Sequence, residues 1–255
     1  MDLRVRHYIL PKEGNTDDEC EDACAFSQEE GAAVWRFAVA DGATTSVFSC
    51  YWARLLVNSY CSGQMQNGNL EESLLELREL WWEHASDRAQ KWYVKEKIQR
   101  GAHATLLGLS IFASVHAADD VSPGAGTFSA IAIGDACLFH VRKDQLLSAF
   151  PIASAGDFST SPSLLSSLDP LGNLSEDLRQ TKGEWFPGDV FLLMTDAMSC
   201  WLLSEQHERL PLIEPNSRDR RAFQYLIDYF RSGRDWSNMP FLKNDDVTLM
   251  RIEMI

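Results

Sequence analysis

The sequence predicts an α+β chain with sheet layers lying between helical layers, and three observations predict it. Strand-patterned and helix-patterned segments come in blocks (strands, a helical pair, many strands, helices and a final strand) rather than as alternating β-α units. Several strand segments are near-continuous apolar runs, the pattern of strands covered on both faces. No internal repeat, long linker or charge block divides residues 1–255, so the chain reads as a single domain. Its 255 residues are 45% apolar and 24% charged, ordinary for a globular protein whose core needs no staples.

Residues 3–10 (LRVRHYIL) alternate in part and read as a strand, ended by Pro11 and the turn-rich 14–17. Residues 20–27 (CEDACAFS) read as a short strand, and 33–40 (AVWRFAVA) as one buried on both faces. Asp41-Gly42-Ala43-Thr44-Thr45-Ser46 forms a turn before a helix over 46–61, with Val47, Tyr51, Leu55, Val57 and Asn58 at mixed helical spacing. A second helix over about 69–98 sets Leu74, Leu77, Trp81, Ala85, Ala89 and Trp92 on one face, opposite a Glu/Arg/Lys-rich one. That aromatic stripe is core packing rather than a cofactor box. Strands follow at 104–115, 127–133, 136–142 and 145–150, with a loop over 119–126. The Ser/Pro/Gly-rich 151–175 is irregular. Strands at 176–186 and 190–195, helices at 197–206 and 217–232, and a last strand at 246–254 complete the chain.

Asp and Glu total 37 against 23 Lys and Arg, a formal charge of −14. This argues against non-specific binding to nucleic acid or an anionic membrane, which needs basic patches. It does not exclude a phosphorylated substrate, because carboxylates can hold cations that reverse the local sign. The N-terminus has no apolar h-region or small-residue cleavage site, and no stretch reaches the length of a membrane span. A cytoplasmic location is expected, with the six scattered cysteines as free thiols. Cys20 and Cys24 lack a second half-site for zinc.

The acids carry a positional signal. Asp41 follows VWRFAVA, Asp135 follows SAIAIG, Asp196 follows VFLLMT, Asp245 and Asp246 precede VTLMRI, and Glu21 and Asp22 lie at the second strand. An acid at one strand end is commonly a turn former. Acids at five strand ends are harder to dismiss, since buried carboxylates need cations or hydrogen bonds to stay charged. Oxygen ligands from several strands suit Mg²⁺ or Mn²⁺, and no histidine joins them at ligand spacing. His103 at a strand start reads as structural before catalytic. Neither a phosphate loop, a dinucleotide fingerprint nor a GxSxG elbow occurs.

These segments, in this order, resemble the metal-dependent Ser/Thr phosphatases of the protein phosphatase 2C type, as a divergent, bacterial-like member. The early acidic pair is matched by Glu21-Asp22, the V-x-D-G segment by Val39-Ala40-Asp41-Gly42, and the G-[ST]-T-A segment approximately by Gly101-Ala102-His103-Ala104-Thr105. Ile133-Gly134-Asp135-Ala136 matches G-D-[ST], Thr195-Asp196-Ala197 matches T-D-G, and Asp245-Asp246-Val247-Thr248 matches D-[ND]-x-T. The likeness spans about residues 18–254.

The resemblance implies a four-layer α-β-β-α sandwich of two antiparallel sheets flanked by helices. It also implies hydrolysis of phosphoprotein Ser/Thr phosphate by water activated between two Mg²⁺ or Mn²⁺ ions. Asp41 would bridge the ions, the Gly42 carbonyl and Glu21 would serve one, and Asp196 and Asp245 the other. Asp22 would hydrogen-bond metal waters, and Asp135 would be available to a third ion. The segment 151–175 falls where the family inserts a variable flap near its cleft. Departures are also visible. Asp17 stands where some members place a phosphate-gripping Arg, leaving Arg4, Arg6 and Arg36 as the nearest candidates in sequence. Ala43 replaces a His, a candidate general acid that many bacterial members also lack. Ala197 replaces a Gly, Cys200 an acid, and Thr44-Thr45 a Gly pair. They motivate a rival reading, a catalytically weak or inactive regulatory or binding module on the same fold.

Overall fold

The computed structural model describes the chain apart from residues 1, 29–33, 66–67, 89–91, 114–124, 169–173 and 236. Ten strands build two five-stranded antiparallel sheets. The first sheet takes β1 (Leu3–Leu10), β7 (Cys137–Arg142), β8 (Gln145–Phe150), β11 (Val190–Met194) and β12 (Val247–Met254), in the order β1-β12-β11-β7-β8. The second takes β2 (Ala23–Gln28), β3 (Val34–Ala40), β5 (Leu106–Ala113), β6 (Gly126–Ile133) and β10 (Arg179–Trp185), in the order β10-β6-β5-β3-β2. Two short strands, β4 (His103–Ala104) and β9 (Leu165–Ser166), pair separately.

Period-two patterning sorts the core into three layers. Phe37, Val39, Leu107, Leu109 and Ile111 face Phe191, Leu193, Met250 and Ile252 between the sheets. From the same strands, Ala38 and Ala40 turn to α1 (Ser49–Cys61) and α2 (Leu70–Arg88). On the other side, Leu192, Met194, Val247 and Leu249 pack under α5 (Asp196–Ser204), α6 (Gln206–Asn216) and α7 (Arg220–Ser232). The expected four-layer α-β-β-α sandwich is therefore observed, and the continuous apolar runs arise because both faces of these strands are covered.

Local differences have physical reasons. In α1 the buried face is Trp52, Ala53, Leu56, Val57, Tyr60 and Cys61, whereas Asn58 is exposed; the expected face was about one residue off. The long helix appears as α2 and α3 (Trp92–Ile98), with the expected contact at Ala89 outside the described residues. The strand at 104–115 divides into β4 and β5, and its last two residues, like 119–124 of the loop, lie outside the described residues. Helix α6 lies between the two helices expected at 197–206 and 217–232 and holds Pro211 and Pro215 within it. It is tied down by the buried Arg209, which binds Glu205 and the Trp201 carbonyl and lies over the Trp201 and Phe230 rings. Segment 151–175 is largely irregular, as expected, with β9 and the short α4 (Leu174–Asp177) inside it.

Candidate active site

Strand register assembles the acids. In the second sheet Ala23 pairs with Ala40, which sets Asp22 and Asp41 at one end. In the first sheet Met194 lies between Cys137 and Leu249, and Leu10 opposes Val247. Asp135, Asp196, Asp245 and Asp246 therefore leave their strands at a common end. The two ends meet: Asp22 Oδ2 accepts hydrogen bonds from Thr195 Oγ1 at 2.9 Å and Thr248 Oγ1 at 2.6 Å.

Each acid is held differently. Asp22 is buried, and its Oδ1 has no hydrogen-bond partner among the described residues. Asp41 is fixed through its backbone, its N–H donating to Thr105 Oγ1 at 2.9 Å and its carbonyl accepting from the Thr105 N–H at 2.8 Å. Gly42 packs so closely that a Cβ there would lie 2.8 Å from the Glu21 carbonyl oxygen and 3.0 Å from Ser49, so a side chain is excluded. Glu21 Oε1 accepts from Ser49 Oγ at 2.6 Å. Asp196 Oδ1 accepts from the Ala197 N–H at 2.6 Å. Asp246 serves as a clip, accepting from the N–H groups of Lys12 at 2.8 Å and Glu21 at 2.7 Å.

Burial first, and then crowding of like charges, perturbs these groups. Burial, only partly offset by the two threonines, pushes Asp22 up to about 8. Burial, then the charges of Asp22, Asp196, Asp245 and Asp135, raises Asp41 well above the usual carboxylate range. Asp135 is pushed up to about 6, chiefly by burial and then by Asp196. Two ammonium groups answer this field. Lys243 Nζ lies 2.6 Å from Asp245 Oδ2 and 3.5 Å from Asp196 Oδ2. Lys12 Nζ lies 3.8 Å from Glu21 Oε2 and 3.5 Å from Thr44 Oγ1.

The donor set fits hard divalent cations in kind: carboxylates and a tightly packed backbone at Gly42, with one buried carboxylate oxygen lacking a partner. It is not drawn together as a finished cage. Among the described residues no group of three or more His, Cys, Asp and Glu side chains stands close enough to hold one ion. Soft ligands are not on offer. The cysteines are free, and burial pushes the Cys24 and Cys137 thiols up to about 12.

A cavity of about 870 Å³ opens beside the acids, lined by Asp135, Asp196, Lys243, Phe158, Trp201 and Phe241 among others. Phe158, Ser159 and Thr160 bring the 151–175 segment to this site. His103 lies beside the turn after Asp41, its Nδ1 3.3 Å from Ser46 Oγ and its carbonyl accepting from the Ala43 N–H. Two of the arginine candidates lie elsewhere. Arg4 pairs with Glu253 at the far end of β1, and Arg36 lies on β3 beside Gly63. Arg6 sits at mid-strand opposite Arg251. Sequence reasoning missed Thr195, Thr248, Lys12 and Lys243. The two threonines stood inside the T-D and D-D-x-T segments; the lysines had no signal beyond proximity to Pro11 and Asp245.

Comparison with known proteins agrees with this architecture. The family model described as Protein phosphatase 2C matches residues 13–239. No curated protein matches the chain in sequence. Among solved structures, the serine/threonine phosphatase Stp1 from Staphylococcus aureus aligns with TM-score 0.62 at 11% identity, covering 100% of this chain and 96% of that one. The photosystem II phosphatase PBCP aligns with TM-score 0.62 at 15% identity, covering 100% and 99%. RsbX, solved in complex with magnesium, aligns with TM-score 0.54 at 15% identity, covering 99% and 96%. At these identities the likeness is one of fold.

Proposed function

The chain belongs to the protein phosphatase 2C family, and from that premise we propose that it hydrolyses Ser/Thr phosphate on proteins with Mg²⁺ or Mn²⁺. The observation that carries the reading is the convergence of acids from both sheets on one end of the sandwich, next to an open cavity. In this reading Asp41, Gly42 and Glu21 would hold one ion, Asp41, Asp196 and Asp245 would hold the other, and Asp135 would be available to a third. When bound, the ions would supply an acidified water and neutralise phosphoryl charge. The chain's own residues do the positioning. Asp22 is pinned through Oδ2 by Thr195 and Thr248, which leaves Oδ1 as the oxygen that would accept a hydrogen bond from water on a bound ion. The Thr105 clamp keeps the Asp41 backbone from shifting as charge develops. The whole chain, 1–255, acts as one phosphatase domain, and its partner is a phosphorylated protein.

The test is hydrolysis of p-nitrophenyl phosphate and a phosphopeptide with Mn²⁺. Activity should be lost by at least about a thousandfold in Asp41→Ala; wild-type rates no higher than that variant's would sink the proposal.

One observation favours a second reading, a regulatory module that binds without turnover. The described acids are not gathered into a three-ligand group. Calorimetry decides between the two. A stably folded protein with no Mn²⁺ uptake supports the binding module, and tight two-site uptake rejects it.

A further inference from the structure

Resting on the phosphatase reading, we propose that Lys243 is the residue that grips the substrate's phosphate, a monoester dianion. The argument starts from charge. A phosphate dianion approaching Asp22, Asp41, Asp135, Asp196 and Asp245 meets a field of its own sign, and divalent ions cancel only part of it. A cation on the cavity side is needed to hold the outward-facing phosphoryl oxygens. Lys243 stands there: its ammonium touches Asp245 at 2.6 Å, reaches Asp196 at 3.5 Å, and lines the same cavity as both Asp135 and Asp196.

Its backbone is fixed on both sides. The buried Leu242 donates its N–H to the Phe230 carbonyl at 3.1 Å, and the Asp245 N–H donates to the Lys243 carbonyl at 3.0 Å. Arg231 donates to the carbonyls of Asp245 and Pro11, tying this segment to the end of β1. Asn244 accepts from the Glu13 N–H at 2.7 Å. The ammonium therefore swings on a four-carbon stem from a fixed point, with its side chain still 66% exposed and open to an incoming anion. Arg209 and Arg234 line the cavity too, but Arg209 is engaged by Glu205 and the Trp201 carbonyl, and Arg234 donates to the carbonyls of Arg231 and Gly233. Lys12, a second lysine beside the acids, has only 22% of its side chain exposed and faces Glu21 and Thr44 instead.

The experiment is calorimetric titration of inorganic phosphate into wild type, Lys243→Ala, Lys243→Arg and Lys12→Ala, each with and without saturating Mn²⁺. Mn²⁺ binding and thermal melting are measured on the same proteins. Lys243→Ala should bind phosphate about tenfold more weakly, the loss of one charge-assisted hydrogen bond. It should bind Mn²⁺ no less tightly, and raise KM for p-nitrophenyl phosphate more than it lowers kcat. Lys243→Arg should recover most of the phosphate affinity. Unchanged phosphate affinity in Lys243→Ala overturns the assignment. So does a parallel loss of phosphate and Mn²⁺ binding, which marks a structural role, or a loss confined to Lys12→Ala. Absence of phosphate binding to wild type in both metal states overturns it as well. A wild type that binds phosphate through Lys243 yet hydrolyses nothing rejects the phosphatase reading and leaves this assignment standing.

Discussion

Away from the cavity, the Asp189 carboxylate is fully buried and accepts hydrogen bonds from Arg142 Nε at 2.6 Å and Nη2 at 2.8 Å, His140 Nε2 at 2.8 Å and the Phe186 N–H at 2.9 Å. Burial alone would raise its pKa, but Arg142, His140 and the Phe186 amide outweigh it and hold the group below the usual carboxylate range. His140 is lowered, chiefly by burial, so it is neutral and donates from Nε2. Both shifts work in one direction. The Asp189 contribution is complete above the unfolded value of about 3.9 and is lost as pH falls through the lower folded value. His140 also disfavours the folded state below about 6.5, where only the unfolded chain takes up the proton. Asp189→Asn should destabilise the protein by roughly 1–3 kcal/mol at pH 7, since it replaces an ionised acceptor of Arg142, His140 and the Phe186 amide with a neutral one. The gap from wild type should narrow below pH 4. Urea unfolding at several pH values checks this, and a gap independent of pH would contradict it.

At the scale of elements, the 151–175 segment is pinned around Leu165–Ser167 and reaches the cavity at Phe158–Thr160. Its later part is bolted down: Trp52 Nε1 of α1 donates to the Leu165 carbonyl at 2.8 Å, β9 pairs with β4, and the Ala102 N–H donates to the buried Ser167 Oγ at 2.8 Å. Its earlier part, Phe158 to Thr160, lines the cavity beside Asp135 and Asp196. On the phosphatase reading, a flap so placed touches the residues flanking a phosphoserine without touching the phosphate. Replacing 158–160 with three glycines should change the ranking of phosphopeptides by several-fold in kcat/KM while p-nitrophenyl phosphate hydrolysis stays within about twofold. Equal losses on both substrates would reject that role.

For the whole molecule, the controlling quantity is the concentration of negative charge where the two sheets meet. Burial and mutual repulsion raise Asp22, Asp41, Asp135 and Asp196, so the fold spends stability to hold them together. A cation that binds only the folded state returns it, by about 2.7 kcal/mol at a hundredfold excess over Kd. For a chain of this size that is a rise in Tm of roughly 5–10 °C. Mn²⁺ should produce such a rise and EDTA should reverse it, with Asp41→Ala losing most of the response. Scanning calorimetry reads the difference, and an identical rise in Asp41→Ala would place the cation elsewhere.

The sequence by itself determined the layers and the identity of the acids. Apolar runs such as 190–194 and 247–254 required strands covered on both faces, and polar turns at their ends left Asp41, Asp135, Asp196 and Asp245 where chain direction reverses. Their ordered spacing was enough to reveal the family. What only tertiary structure decided was who meets whom. Pairing of Ala23 with Ala40 and of Met194 with both Cys137 and Leu249 is a matter of register across distant segments, and it brings Thr195 and Thr248 onto Asp22. Helix α6 carries two prolines and is held by contacts that only folding supplies, Arg209 reaching the Trp201 carbonyl. Lys243 was illegible for the same reason: a lysine's meaning depends on the charges its long stem can reach, and those come from strands that only folding makes neighbours.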